Sequence, residues 1–468
     1  MSHEVFVVDD RHPEDMAMLQ ALYSRSPASV VDHLEKLKKA GSGKFMDQYY
    51  VGYGHSSIGD CGQTVCFIEQ VSMMVTKAFQ ENPLYNGQEA STRYLDYSKQ
   101  GVYDPYNHPA SAAIQSKWKE IYTTTIAKLK TALEKKHPYN AAEYKTEKLW
   151  QNTLHARAFD ISRSLLPLGA QTLFSWSTSL RQARDNLRRL KYHPLAEVRE
   201  VAQSLFGELV TRYPHSFRAE DMDMECVHPR DFYARDNAHR NHYQSPNDIQ
   251  RRFKLTPDET KSLMDGELVI RRDALDLEGL CEQESNMLAK RPRGAAMPWR
   301  LESYGNYNFI FLLDFGSFRD IQRHRNGVCP IPLVDARYGI HPWYLTQFED
   351  LLGKEAFAAL QQEIATQLAA IDSLASLGIE TNPYDNQYFY PMGLRVLVQT
   401  AYSVAETAYV GELRSGKTVH GSLRPIAQKM LDVLAYDIPN IALYGDMDVD
   451  DWTAKRGDQT ITAVKSAG

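Results

Sequence analysis

Apolar and polar positions along this chain recur in patterns that predict a mixed α and β protein. Residues 26–40 read as a helix, with Ser29 and Asp32 at capping-box spacing and Gly41-Ser-Gly43 as its stop. Residues 64–71 predict a strand and 72–79 a helix opening on a serine cap. Helical periodicity then covers 111–136 and 141–166, both polar enough to lie on the outside, and continues through 176–190 and 194–212. Residues 218–292 are polar and charged and read as a connector with one or two helices of its own. Beyond it the pattern predicts a strand over 308–315 and a helix from Ser317. Further helices are expected over 348–376, 394–413 and 422–434, before a polar tail.

The order of these elements occurs twice. Each time a strand leads into a capped helix, a loop ending in Arg-Tyr (Arg93-Tyr94, then Arg337-Tyr338), long helices, a Pro-x-Gly turn and further helices. Such an order predicts an internal duplication.

Charge sharpens the picture at one place. The stretch Phe318-Arg-Asp-Ile-Gln-Arg-His-Arg325 follows the apolar run Phe309-Ile-Phe-Leu-Leu313, and Arg319 and Arg323 are four apart, on one face of an expected short helix. His324 and Arg325 project beside them. Guanidinium forks match phosphate oxygens bidentately, so a phosphorylated ligand is the economical expectation, with a solvated basic patch as the alternative. The whole 468-residue chain carries a formal charge of -6, so nothing global draws it to nucleic acid or an anionic membrane. The acidic start, Met1 to Asp10, has too short an apolar stretch for a signal peptide or a span, and a cytoplasmic protein is expected. Five cysteines (Cys61, Cys66, Cys226, Cys281, Cys329) without a CxxC pair read as buried, reduced thiols. His228, His239 and His242 lack the spacing of a metal site and read as surface histidines, and Arg181, Arg184, Arg188 and Arg189 as a solvated face.

These residues resemble the flavin-dependent thymidylate synthases, whose signature is R-H-R, a short spacer and N-E-x-S-x-R-Y, preceded by a G-H-x-S/T turn. The chain is similar to two fused, diverged copies of that family. The first has Gly54-His-Ser-Ser57 and Glu89-Ala-Ser-Thr-Arg-Tyr94, with Glu81-Asn-Pro83 in place of R-H-R. The second has Arg323-His-Arg325, with Asp335 in place of the motif serine and Pro298 near the place of the turn histidine. Arg163 before Leu166-Pro-Leu168 matches a nucleotide-contacting arginine, where the second copy has Gln387; Leu413-Arg414 with His420 matches a closing motif that His193 with Arg188 or Arg189 only blurs.

The resemblance implies an α+β fold of two tandem domains of the thymidylate-synthase-complementing type, each a small, mostly antiparallel sheet wrapped by long helices. Residues 1–217 form the first copy, 218–292 the connector and 293–468 the second copy. It implies FAD as cofactor, NADPH and methylenetetrahydrofolate as co-substrates, and dUMP or a related pyrimidine nucleotide as substrate. The site is expected to be composite. Ser91, Arg93, Arg163, Arg323 and Arg414 would bind the nucleotide, and Arg414, Glu89 and Ser91 would serve catalysis. His55, Ser57, Arg323, His324, Arg325, His420 and Arg181 would hold the flavin, with Ser24 or Ser26 joining them, and no metal or enzyme cysteine is required. Two fused chains would pair as a homodimer, a pseudo-tetramer. Tyr94 and Tyr338 are expected in the core. Flavoenzymes that modify another pyrimidine nucleotide, for example by hydroxymethylation, and a non-catalytic flavin or nucleotide sensor are the competing readings.

Overall fold

The computed structural model describes residues 12–24, 26, 29–52, 55–93, 96–225, 228–448, 452–456 and 459–463. In chain order the principal elements begin with α1 (Pro13–Tyr23), α2 (Val30–Ala40), β1 (Gln63–Ser72), α3 (Met73–Gln80), α4 (Pro109–Lys136) and α5 (Glu147–Ser162). Then come β2 (Gln171–Ser179), α6 (Leu180–Leu190), α7 (Ala196–Arg212), α8 (Pro246–Phe253), α9 (Pro257–Met264), β3 (Val269–Arg271) and α10 (Leu277–Ala289). The remainder holds β4 (Tyr307–Asp314), α11 (Phe315–Ile321), α12 (Pro342–Leu352), α13 (Lys354–Ser373), β5 (Arg395–Tyr402), α14 (Val404–Arg414), α15 (Arg424–Asp437) and the strands β6 (Trp452–Arg456) and β7 (Gln459–Ala463). Two compact units result, Met1–Glu89 with Thr172–His242 and Ala90–Gln171 with Tyr243–Gly468. Among the described residues no helix is long and apolar enough to cross a membrane.

One device recurs at four places: a short polar side chain at the end of a strand, or in Ser403 just after it, caps the helix that follows. Ser72 Oγ accepts from Val75 N at 3.3 Å and Ser179 Oγ from Gln182 N at 3.2 Å. Asp314 Oδ2 accepts from Ser317 N at 2.9 Å and Ser403 Oγ from Glu406 N at 3.2 Å. Each cap satisfies an amide that the first helical turn leaves without a partner, so strand and helix join with no loop between them. Two of these strands correct the sequence reading. Residues 171–179 and 395–402 are strands, where helices were expected from 176 and 394. In β5 nearly every residue is buried, so the alternation that marks a half-buried strand is absent.

In the first unit, β1 pairs with β2. Phe79 packs against Phe174 and Trp176 with ring centroids 5.2 and 5.6 Å apart, and Glu197 of α7 accepts from the Ser72 backbone N–H at 2.8 Å. In the second unit β3, β4 and β5 form an antiparallel sheet with Tyr307 opposite Tyr402 and Asp314 opposite Arg395. Ile249, Leu263 and Val269, from the stretch read as a connector, cover Ile310, Leu312 and Leu397. Tyr338 lies in this cluster, while Tyr94 falls outside the described residues. The polar face expected of α5 is confined to its start, because its second half is buried from Ala156 to Ser162. The tail, read as plain polar chain, holds the antiparallel pair β6 and β7.

Within the second unit the two Pro-x-Gly segments lie antiparallel, Pro167 opposite Pro391. Leu168 N donates to Tyr390 O at 3.0 Å and Met392 N to Leu166 O at 2.9 Å; Gly169 N donates to Tyr388 O and Gly393 N to Ser164 O, both at 2.8 Å. The flanking bonds also come in pairs, Tyr103 N to Gly169 O at 2.8 Å with His341 N to Gly393 O at 2.9 Å, and Gln171 N to Gly101 O with Arg395 N to Gly339 O, both at 2.9 Å. Both glycines are sterically required. A Cβ on Gly169 would sit 2.7 Å from Tyr103 O and 2.9 Å from Tyr388 O, and one on Gly393 2.6 Å from Ser164 Cβ. Gly169→Ala and Gly393→Ala are therefore each expected to destabilise by about 1–3 kcal/mol in urea unfolding. Gly207→Ala, in α7 with nothing within 4 Å of its added Cβ, should instead be neutral or stabilise by up to about 1 kcal/mol.

Candidate functional site

The second unit contains a cavity of about 290 Å3 lined by five arginines, Arg93, Arg163, Arg319, Arg323 and Arg414, with Ser91, Thr92, Thr418 and one carboxylate, Asp320. Different elements deliver these side chains. Ser91 to Arg93 form a turn in which Arg93 N donates to Ser91 Oγ at 3.3 Å. Arg163 opens the single 3-10 turn that closes α5, and Arg414 is the last residue of α14. Arg319 sits in α11, which ends at Ile321; Arg323, His324 and Arg325 therefore follow the helix rather than sharing its face.

So many like charges stay together because carboxylates stand behind them. Arg93 donates to both oxygens of Asp160, at 2.5 and 3.2 Å, and to Thr418 O at 3.2 Å. Burial opposes a charge on Asp160, yet the guanidiniums, Arg93 foremost, hold its carboxyl below the usual range. Arg163 is buried; its Nε donates to Tyr344 Oη at 3.1 Å and its Nη2 to Ser317 Oγ at 2.8 Å, with Asp314 Oδ2 at 3.7 Å. Tyr344 has one proton, which goes to Asp314 Oδ2 at 3.0 Å, so its oxygen is left to accept from Arg163. Arg319 Nη1 donates to Thr92 Oγ1 at 3.2 Å. Burial would raise the Asp320 carboxyl, but Arg323, Arg163, Arg414 and Arg93 outweigh it and keep it ionised.

All five residues expected to bind a nucleotide, Ser91, Arg93, Arg163, Arg323 and Arg414, thus line one cavity, and they come from both halves of the sequence. The residues expected at a flavin lie elsewhere in part. His324 is buried; its Nε2 is 2.8 Å from Arg414 Nε, and since guanidinium only donates, the imidazole proton sits on Nδ1. Burial, then Arg414, lowers its pKa to about 3. Arg323 is 48% exposed and lies 3.5 Å from Asp320, and Arg325 is half-buried. His420 has no exposed surface and stands behind the cavity, Nδ1 2.8 Å from Ser422 Oγ and 3.3 Å from Ser317 Oγ. His55, Ser57 and Arg181 belong to the first unit; the first two are exposed, and Arg181 Nε donates to Asp60 at 2.8 Å. Glu89, also in the first unit, is buried and accepts from Lys77 at 3.0 Å and from Gln80 and Thr76 at 3.1 Å. Gly54 and Cys226 fall outside the described residues.

Two readings of the remaining charged residues need correction. Arg188 is buried on Asp231, at 2.8 and 2.9 Å, and Arg189 pairs with Glu81 at 2.7 Å, so α6 presents no simple solvated basic face. His242, expected at the surface, is fully buried with Nδ1 3.1 Å from the same Glu81. Asp160, Asp320, Thr92 and Thr418 escaped the sequence reading. Asp160 and Asp320 each left a signal, a carboxylate three residues before Arg163 and Arg323 respectively, and Thr92 lies within the quoted stretch Glu89 to Tyr94.

With this geometry in hand, the comparisons place the chain. Residues 7–215 match the family described as thymidylate synthase complementing protein. That segment is similar to this family. The complementing-protein segment supplies Ser91, Thr92, Arg93 and Arg163 to the cavity. Over almost the whole chain, a UPF0159 protein of Thermoplasma acidophilum is 23% identical, covering 92% of this chain and 94% of its own length. UPF0159 proteins of Chlamydia pneumoniae and Chlamydia muridarum, at 22% and 23% identity, cover 82% and 81% of this chain and 76% of their own lengths.

The buried histidines make a pH prediction. Burial and then Arg163 push His420 down to about 3 from its ordinary 6.5. A depressed histidine contributes stability that is complete above its unfolded pKa and is lost as pH falls toward the folded value. Unfolding free energy should therefore decline below about pH 6.5, with His420 alone accounting for about 2 kcal/mol by pH 5. His420→Asn should flatten that decline in denaturant titrations at pH 7 and pH 5.

Proposed function

We propose that the protein is a flavin-dependent thymidylate synthase, converting dUMP to dTMP with methylenetetrahydrofolate as carbon donor and NADPH as reductant. The observation that carries the reading is the cavity: five guanidiniums and the Ser91 hydroxyl, drawn from both halves of the sequence, surround a space sized for a small phosphorylated ligand. The similarity of residues 7–215 to the complementing-protein family supports it. In this reading Ser91, Arg93 and Arg163 hold the phosphate, and Arg414 polarises the pyrimidine carbonyls. Arginine beside those oxygens would stabilise the enolate form of the ring, in which C5 is the nucleophile.

The residues fit a flavin in part. Within the second unit Arg323, nearly half exposed, is available to a diphosphate. His324 and His420 do not fit a ligand-contacting role, because both are buried and engaged within the protein. When bound, the reduced flavin supplies the hydride that completes the methyl group. No thiol nucleophile is needed. Burial pushes the Cys329 thiol up to about 12, which suits a structural cysteine.

The chain is read as two fused, diverged copies whose composite site lets each drop part of the signature. The paired hydrogen bonds around Pro167 and Pro391 and the repeated strand, cap and helix order support this. Two such chains would associate as a homodimer.

The decisive assay is tritium release from [5-3H]dUMP with methylenetetrahydrofolate, NADPH and FAD. Arg93→Ala and Arg163→Ala should each lower release by about 30-fold to 1,000-fold, and Arg163→Lys should not rescue, since an ammonium cannot reproduce the two-ended contact to Tyr344 and Ser317. FAD should give the purified protein a visible absorbance envelope that dUMP perturbs. Undiminished release by both alanine variants, or a protein indifferent to FAD, overturns the reading.

A further inference from the structure

The first unit holds a cavity of about 430 Å3 between α6 and the segment 230–241, with Asp185, Arg188, Arg189, Arg230, Asp231 and Tyr233 in its wall. It shares no residue with the arginine cavity. His228 Nδ1 accepts from Arg230 N at 3.1 Å and so fixes the turn Pro229–Asp231, which delivers Arg230 and Asp231 together. The short helix Phe232–Asp236 follows at once and carries Tyr233, whose ring is 71% exposed and stands edge-on to Phe232 at 5.2 Å. The three arginines are not equivalent. Arg189 is committed to Glu81 at 2.7 Å, His242 Nδ1 at 2.9 Å and Asn186 Oδ1 at 3.2 Å. Arg188 is only half committed. Its side chain is 6% exposed, and Nη2 alone meets Asp231, donating to both oxygens at 2.9 and 2.8 Å. Among the described residues its Nε is buried without a hydrogen-bond partner, and Nη1 makes no hydrogen bond either. Arg230 is exposed, and among the described residues its guanidinium enters no hydrogen bond or ion pair.

A buried donor that lacks an acceptor carries the cost of its lost hydration, and an oxyanion in the adjoining space relieves it. Guanidinium only donates, so the unused nitrogens of Arg188 and Arg230 call for a ligand that accepts. How much charge that ligand carries is set by the acids in the same wall. Asp231 and Asp185, the latter 36% exposed and 3.7 Å from Arg184 Nε, repel a second negative charge, so a monoanion suits the wall better than a phosphate dianion. The exposed Tyr233 ring offers a flat apolar face, and the small side chain of Ala234 leaves room beside it. We propose that this cavity binds a small monocarboxylate on a planar, apolar body, its two oxygens accepting from Arg188 and Arg230 and its body resting on Tyr233. Carboxylate and guanidinium match because two oxygens meet paired N–H donors. The site stands apart from the reaction proposed above and uses none of the residues assigned to it.

Calorimetric titration of the full-length protein with benzoate, benzamide and phthalate tests the assignment, since the three share one ring and differ in charge. Benzoate should bind at least about tenfold more tightly than neutral benzamide, and than the phthalate dianion that the aspartates repel. Arg230→Ala, at an exposed position whose guanidinium holds nothing in the fold, should weaken benzoate at least about tenfold. Tyr233→Ala should weaken it several-fold, and Asp185→Asn should raise the affinity for phthalate several-fold. Arg93→Ala, in the other cavity, should leave benzoate binding unchanged, so this proposal and the function proposed above stand or fall separately. In crystals, para-bromobenzoate should place its bromine beside Tyr233. Benzamide or phthalate binding as tightly as benzoate, undiminished benzoate affinity in Arg230→Ala, loss of benzoate in Arg93→Ala, or no binding of benzoate overturns the proposal.

Discussion

Everything at the arginine cavity depends on holding like charges together. Guanidiniums crowded into a partly buried space repel one another, and burial adds a desolvation cost to each. The fold answers with acids set one layer back: Asp160 grips Arg93 by both oxygens, Asp314 with Tyr344 and Ser317 grips Arg163, and Asp320 faces Arg323. None of these pairs consumes a whole guanidinium. Asp160 takes Nε and Nη2 of Arg93, whose Nη1 goes to Thr418 O, and Arg163 is held through Nε and Nη2, so both forks are fixed in orientation at the cavity wall.

The anchors are themselves fixed by secondary structure. Asp314 is at once the last residue of β4, the cap of α11 and an acceptor for Tyr344 and Ser422, so the sheet register that places it opposite Arg395 also places Arg163. Arg163 owes its position to the end of α5 and to the antiparallel crossing of the Pro-x-Gly segments that begins one residue later at Ser164. Positioning of this kind is rigid because it runs through backbone ladders and buried polar bonds rather than through loops.

The first unit holds a strand, a cap and a helix in the same order, with an acid where the second unit has an arginine. Glu81 stands nine residues past the Ser72 cap, as Arg323 stands nine past the Asp314 cap. There the acid turns to Arg189 and His242 and closes an internal network instead of facing a cavity.

Local features were legible in the chain itself. Ser29 and Ser72 as caps, the apolar run of β4 and the charge of Arg319 and Arg323 are readable because capping, burial and charge are properties of a few neighbouring residues, whereas Arg93, Arg163 and Arg414 stood out only through the family resemblance. The strands β2 and β5 were not: in β5 burial on both faces erases the alternation that distinguishes strand from helix, whereas β2 does alternate, with Thr172, Phe174, Trp176 and Thr178 buried, and the helical reading from 176 overlooked it. Nor could sequence place Asp160 and Asp314 behind the arginines, or show that His324 and His420 are buried and neutral rather than turned to a ligand. Those outcomes depend on which distant segments pack together, and only the tertiary structure decides how burial and opposing charge divide among groups far apart in the chain.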